Sequence, residues 1–205
     1  MSRIVRSVCM GLMLAAAPAA LTLPSAPVMA QDADPAVVQI QGFYDALVAT
    51  MKSGGTAKAR YEKLKPAIEK AFDLSAMTAT AVGPTWVGLS DADKKALTDA
   101  FSRWTVANYA KNFDSYGGEK FVTEPASIAR GTDHFVKSKM TGSEPHAFNY
   151  RMHQVGSEWK VTDILLDGNI SQMAQKRSDF ASTLSSAGPQ GLAKRINAIT
   201  DQMLG

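Results

Sequence analysis

From Pro35 onward the apolar positions recur at helical spacing: Val37, Ile40, Tyr44, Leu47, Val48 and Met51, with Phe43 beside them. Pro35 suits a first helical turn, and Ser53-Gly54-Gly55 closes the run. Tyr61, Leu64, Ile68 and Phe72 repeat the period. Pro66 lacks a backbone N–H, so it is expected to kink this second helix or to start another. A short helix is expected over residues 75–81, before Gly83-Pro84 interrupts it. Ser90-Asp91-Ala92-Asp93 reads as a capping box that opens the clearest helix of the chain. Leu97, Ala100, Phe101, Trp104 and Ala107 form its apolar face, and Lys95, Asp99 and Arg103 its polar one.

After Gly117-Gly118 the period falls to two. Four strands are expected, over residues 120–128, 134–140, 147–155 and 159–166, separated by short turn-rich segments that favour antiparallel neighbours. Phe148, Tyr150 and Met152 share one face of the third strand, and Asn149, Arg151 and His153 the other. In the fourth, Trp159, Val161 and Leu165 are expected on one face, with Asp163 between them. Past Asp167-Gly168 the spacing of Ile170, Met173, Ala174, Arg177 and Phe180 is helical again. A break is expected at residues 185–189, then a last helix marked by Leu192, Ile196, Ile199 and Met203. Helices, an antiparallel sheet and further helices make an α+β fold, a single domain whose four-stranded sheet is wrapped by N- and C-terminal helices.

The first thirty residues change the picture of where this domain works. Arg3 and Arg6 precede an apolar run from Val8 to Leu23, and small residues before Gln31 complete a signal-peptide pattern. Residues 1–30 are therefore expected to be removed, leaving a domain over 31–205 in an exported protein. Cys9, the single cysteine, would leave with the leader, so no disulfide, thiol nucleophile or thiolate ligand is expected. Loss of Arg3 and Arg6 also takes the formal charge from +3 to +1, which gives no support for a nucleic-acid partner.

Candidate chemistry is sparse. His134, His146 and His153 have no metal-ligand spacing, and His146 and His153 should face opposite sides of one strand. No serine elbow or phosphate-cradling glycine loop is present. No cofactor is expected. Asp163, inside an otherwise apolar strand, is the one acid that suits acid–base chemistry, with Tyr116, Tyr150 and His153 as candidate partners. Exposure to solvent, or capping of a neighbouring backbone, is the simpler reading of Asp163. The aromatic and aliphatic faces fit either solid core or the wall of an apolar cavity, because periodicity does not separate the two.

Several blocks carry a family likeness. Leu165-Leu166-Asp167-Gly168-Asn169-Ile170-Ser171-Gln172, with Arg177-Ser178-Asp179-Phe180 after it, resembles the strand-to-helix junction of MlaC-like (toluene-tolerance) proteins. Tyr61, Leu64, Pro66, Ile68, Phe72-Asp73-Leu74 and Met77 resemble the family's segment before its central helix. Gly83, Trp86, Leu89, Ser90, Leu97, Phe101, Trp104, Tyr109-Ala110 and Phe113 are similar to its central helix block. The run from Asn112 to Glu119 resembles the branch associated with hopanoid biosynthesis (HpnM) in particular.

The resemblance implies a non-enzymatic periplasmic carrier with a hydrophobic cavity for lipid tails. Its partners would be a hopanoid or phospholipid ligand and lipid-transport proteins of the inner and outer membranes. On that resemblance, cavity-lining roles are assigned to Phe43, Leu47, Trp86, Phe101, Trp104, Val136, Phe148, Tyr150, Met152 and Ile164. Two other classes stay open: a small acid–base enzyme built around Asp163, and an adaptor that holds no lipid.

Overall fold

The structure is a computed structural model that describes residues 33–142 and 145–205; the expected leader, residues 1–30, lies outside them. Three helices come first, α1 (Pro35–Ser53), α2 (Ala57–Ala71) and α3 (Leu74–Val82), followed by a 3₁₀ turn over Gly83–Gly88 and the long α4 (Asp91–Asn112). The strands are β1 (Lys120–Thr123), β2 (Ile128–Arg130), β3 (Asp133–Thr141), β4 (His146–Val155), β5 (Glu158–Leu166) and β6 (Ile170–Ser171), and α5 (Gln172–Leu204) closes the chain. Among the described residues no helix is long and apolar enough to cross a membrane.

Each helix begins where a side-chain oxygen takes up its free N–H groups. Asp34 accepts from Ala36, Thr56 from Ala59, Asp73 from Ala76, Ser90 from Asp93 and Ser171 from Ala174. Ser90 also donates to the Asp93 carboxylate at 2.7 Å, which completes the expected capping interaction. Pro66 sits inside α2, so it neither ends that helix nor starts another.

The sheet is antiparallel, in the order β1-β3-β4-β5-β6, with β2 also paired to β3. It has six strands where four are expected. The first expected strand divides in two because residues 124–127 loop out opposite only Val136 and Lys137, and Pro125 within them has no N–H for the ladder. The extra strand β6 comes from Ile170 and Ser171, which pair with Leu166 and Leu165 before the helix starts, so Ile170 is not helical.

A second difference alters which residues face the interior. Arg151 pairs with Asp163 but Met152 pairs with Val161, so Thr162 is an extra residue in β5, a β-bulge. Across it Val161 and Ile164 share the inner face with Met152 and Tyr150. Leu165 therefore turns away from Val161, contrary to strict alternation, and Asp163 turns away with it.

The break expected at residues 185–189 is a sharp kink at Gly188 (φ 68°, ψ −175°), ahead of Pro189. A straight helix would hold Thr183 and Arg195 about 18 Å apart. Here the Arg195 guanidinium hydrogen-bonds the Thr183 hydroxyl, so the two arms of α5 fold back on each other.

The main core joins α1, α2, α3 and α4 to the inner face of the sheet and includes fully buried Ile40, Leu64, Ile68 and Phe101. Burying a side chain of this size contributes about 1.5–3 kcal/mol. A smaller core lies between α4 and the second arm of α5, around Leu97, Leu192 and Ile196. Trp104 and Phe180 pack against both.

Candidate functional site

Between the inner face of the sheet, α4 and the start of α5 lies a cavity of about 300 Å³. Helix α4 supplies Phe101, Trp104, Thr105 and Tyr109, with Phe113 at its C-cap, the sheet supplies Phe121, Phe148, Tyr150, Ile164 and Leu166, and α5 supplies Met173. Tyr44 and Leu47 of α1 and Met77 of α3 complete the apolar wall. Polar groups join it from Asn108 and Asn112 of α4, His146 of β4, and Gln172 and Lys176 of α5. These five are half-buried or exposed and make a rim.

The rim's charges are compensated. The Lys176 ammonium donates to Asp179 at 2.7 Å and lies 5.0 Å from the centre of the Trp104 ring. His146 Nδ1 is 3.6 Å from the Asp167 carboxylate. Asp167 has φ 49°, a conformation aspartate tolerates in tight turns, and it brings the chain round towards α5.

Inside, the polar atoms of the wall are tied to one another. Ser138 donates to the Phe148 carbonyl at 2.6 Å, so its oxygen is the acceptor for the Tyr44 hydroxyl at 2.5 Å. Burial pushes the Tyr44 phenol up to about 12, with its hydrogen-bonding to Ser138 and Tyr150 opposing the rise. Burial likewise raises Tyr109 and Tyr150. Burial thus favours the neutral phenol at all three, which suits hydrogen-bonding groups set in an apolar wall.

Six residues given cavity-lining roles border this space: Leu47, Phe101, Trp104, Phe148, Tyr150 and Ile164. The other four do not. Phe43, Val136 and Met152 lie in the filled core, because the helices α1 and α2 with Phe72 cover the part of the sheet and helix they occupy. Phe43 stacks edge-on against Phe72 and Tyr109. Trp86 belongs to the 3₁₀ turn and packs on the smaller core instead. Tyr44, Tyr109 and Phe113 were not among the candidates. The i, i+4 stripe Phe101, Thr105, Tyr109, Phe113 carries the signal for two of them.

The acid–base candidates are not brought together. Asp163 is buried and faces away from the cavity. Its carboxylate accepts from the Ser171 hydroxyl at 2.5 Å, from the Met173 N–H at 3.1 Å and from the Ile164 N–H at 2.8 Å. Of its three candidate partners, Tyr116 is exposed, Tyr150 lies in the cavity wall, and His153 Nε2 is 2.9 Å from Asp73. His134 bonds Ser127 and stacks near Trp159. Among the described residues no cluster of three or more His, Cys, Asp or Glu side chains is placed to hold a metal ion. What the arrangement offers is a largely apolar space with a polar rim.

Comparison with known proteins fits this geometry. The profile of the family described as MlaC protein matches residues 41–198. No curated protein gives a significant sequence match. Among solved structures, a phospholipid-binding protein from Ralstonia solanacearum, determined with a bound phospholipid, superposes with a TM-score of 0.72 at 23% identity. The match covers 84% of this chain and 100% of that one, and at this identity it bears on the fold.

Proposed function

This chain belongs to the MlaC protein family, and from that premise we propose that it is a periplasmic, non-enzymatic lipid carrier, exported by a leader over residues 1–30. It shuttles a phospholipid or hopanoid between transport proteins of the inner and outer membranes. The observation that carries this reading is the apolar cavity between α4 and the sheet, rimmed by Asn108, Asn112, His146, Gln172 and Lys176. The phospholipid bound by the Ralstonia protein of the same fold supports the ligand class. The wording of Asn112 to Glu119 and of Leu165 to Phe180 favours the hopanoid-associated branch.

The physics of lipid transfer gives such a cavity its use. Each methylene exposed to water costs about 0.8 kcal/mol, so a two-tailed lipid crosses an aqueous gap slowly unless its chains are sheltered. The cavity replaces one apolar environment by another, and the rim lets a polar headgroup stay in water. No bond is made or broken. A filled interior would have favoured a pure adaptor, whereas this interior holds space for hydrocarbon.

The test is to purify the mature protein from its native envelope and identify extracted lipids by mass spectrometry. Lipid at near-stoichiometric amounts is the expected result. Protein that is empty as isolated, and that takes up neither phospholipid nor hopanoid from vesicles, would overturn the carrier reading.

A further inference from the structure

A second chamber of about 290 Å³ lies on the other side of Trp104, between the two folded-back arms of α5. Its first arm contributes Phe180 and Thr183, its second Leu192, Ile196 and Ile199. Leu192 and Ile196 are buried, so the floor is aliphatic. The chamber exists because Gly188 turns α5 back on itself. A continuous helix would carry Phe180 and Ile196 far apart.

Two residues, Trp104 and Lys176, border both chambers. The Trp104 ring is half-buried and packs on both cores, tilted against Phe101 at 5.6 Å on the side of the first chamber. Lys176 sits above the ring at 5.0 Å. The two chambers are thus neighbours separated by one stacked pair of side chains, and that pair reaches the rim. Lys176 is paired with Asp179 at 2.7 Å, and Arg195 donates to the Thr183 hydroxyl. The floor itself, Phe180, Leu192 and Ile196, carries no polar side chain, so its chemistry selects an uncharged hydrocarbon.

We infer that the second chamber takes one hydrocarbon chain of a two-chained lipid whose other chain fills the first. Trp104 and Lys176 form the saddle from which the chains part. This rests on the carrier reading above and adds a specificity to it: two-chained lipids are preferred over one-chained lipids with the same headgroup. The first chamber alone serves a single chain; the second supplies the difference.

The experiment fills the second chamber and leaves the first untouched. Ile199→Trp adds an indole from the second arm, at a partly exposed position that tolerates bulk. Thr183→Trp adds one from the opposite arm. Binding is measured with diacyl and monoacyl phosphatidylglycerol of equal chain length, by native mass spectrometry and fluorescence titration, with circular dichroism confirming the fold. Both variants are expected to lose at least about tenfold in diacyl affinity, equivalent to roughly two methylenes left unburied, while monoacyl affinity stays within about twofold on the same scale.

Equal effects on both lipids, or no effect on either in both folded variants, would overturn the two-chamber assignment while leaving the carrier reading intact. A wild-type protein that binds neither lipid overturns the two-chamber assignment, and one that also takes up no hopanoid overturns the carrier reading.

Discussion

The Ser171 hydroxyl donates to the Asp163 carboxylate at 2.5 Å, and the same serine caps α5 by accepting from Ala174 at 3.0 Å. Asp163 thereby fastens the last long strand to the first turn of the last helix, with its second oxygen accepting from Met173. Asp163→Ala would leave a buried hydroxyl and a buried N–H without their acceptor, a loss of about 1–3 kcal/mol. Denaturant unfolding checks the figure. The variant, where folded, is expected to retain lipid normally, which an acid–base role for Asp163 would not explain.

Asp34 plays a similar part at the other end of the domain. One of its oxygens caps α1 and the other accepts from the Ser127 hydroxyl at 2.6 Å and the Ser127 N–H at 2.8 Å. Burial raises its pKa, but the hydrogen bonds from Ser127, Ala36 and Val37 outweigh that and leave the carboxyl below its ordinary 3.8. A lowered folded-state value means the stabilisation is fully present above the unfolded pKa and is lost as pH falls through the folded one. The Tm difference between wild type and Asp34→Asn should therefore be constant near neutrality and shrink below about pH 4. A difference that grew on acidification would contradict this assignment.

Gly188 occupies a backbone region that is nearly exclusive to glycine (φ 68°, ψ −175°). Gly188→Ala is expected to cost about 1–3 kcal/mol in strain. Because the fold-back of α5 depends on this residue, amide exchange should accelerate in the second arm, Pro189 to Leu204, before it changes in α4.

Core and wall should respond differently to mutation. Met152 is fully buried in the solid core, so Met152→Ala is expected to cost about 2–5 kcal/mol of stability with little change in lipid retained per folded molecule. Phe148, half-buried, faces the cavity. Phe148→Asp is expected to lower stability less than Met152→Ala and to abolish lipid retention, since a carboxylate in an apolar chamber needs water that hydrocarbon would displace. Thermal unfolding and extraction of bound lipid separate the two outcomes.

Much of this was legible in the chain because local rules and tertiary structure agree. The Ser90 cap, the Leu97-to-Ala107 face, the turn at Arg130-Gly131 and the glycine–proline kink at 188–189 each declare themselves within a few residues. The wall of the cavity was only partly legible. Phe148 and Met152 lie on the same face of β4, yet one meets empty space and the other meets Phe72, Val161 and α1. Period two says that both turn inward; what stands opposite is decided by helices distant in sequence. Trp86 misled because its 3₁₀ turn delivers it to the smaller core. The second chamber was hidden for the same reason, since it depends on how sharply two arms of one helix close.

The bulge at Thr162 has a consequence for the shape of the sheet. Strand pairing that keeps perfect count tends towards a gently twisted sheet, whereas one surplus residue bends the strand and tightens its local twist. Thr162 lies beside the wall residues Tyr150 and Ile164 and bonds back to the Arg151 carbonyl at 3.3 Å. Concavity is thus written into this chain as a mismatch in tally between two neighbouring strands. Deleting that single threonine would leave Val161 opposite Met152 and Ile164 opposite Tyr150 in an unbroken ladder, so the side chains would keep their faces while the local bend and twist relaxed. The hollow therefore rests on the count of residues in two strands as well as on the side chains that face it.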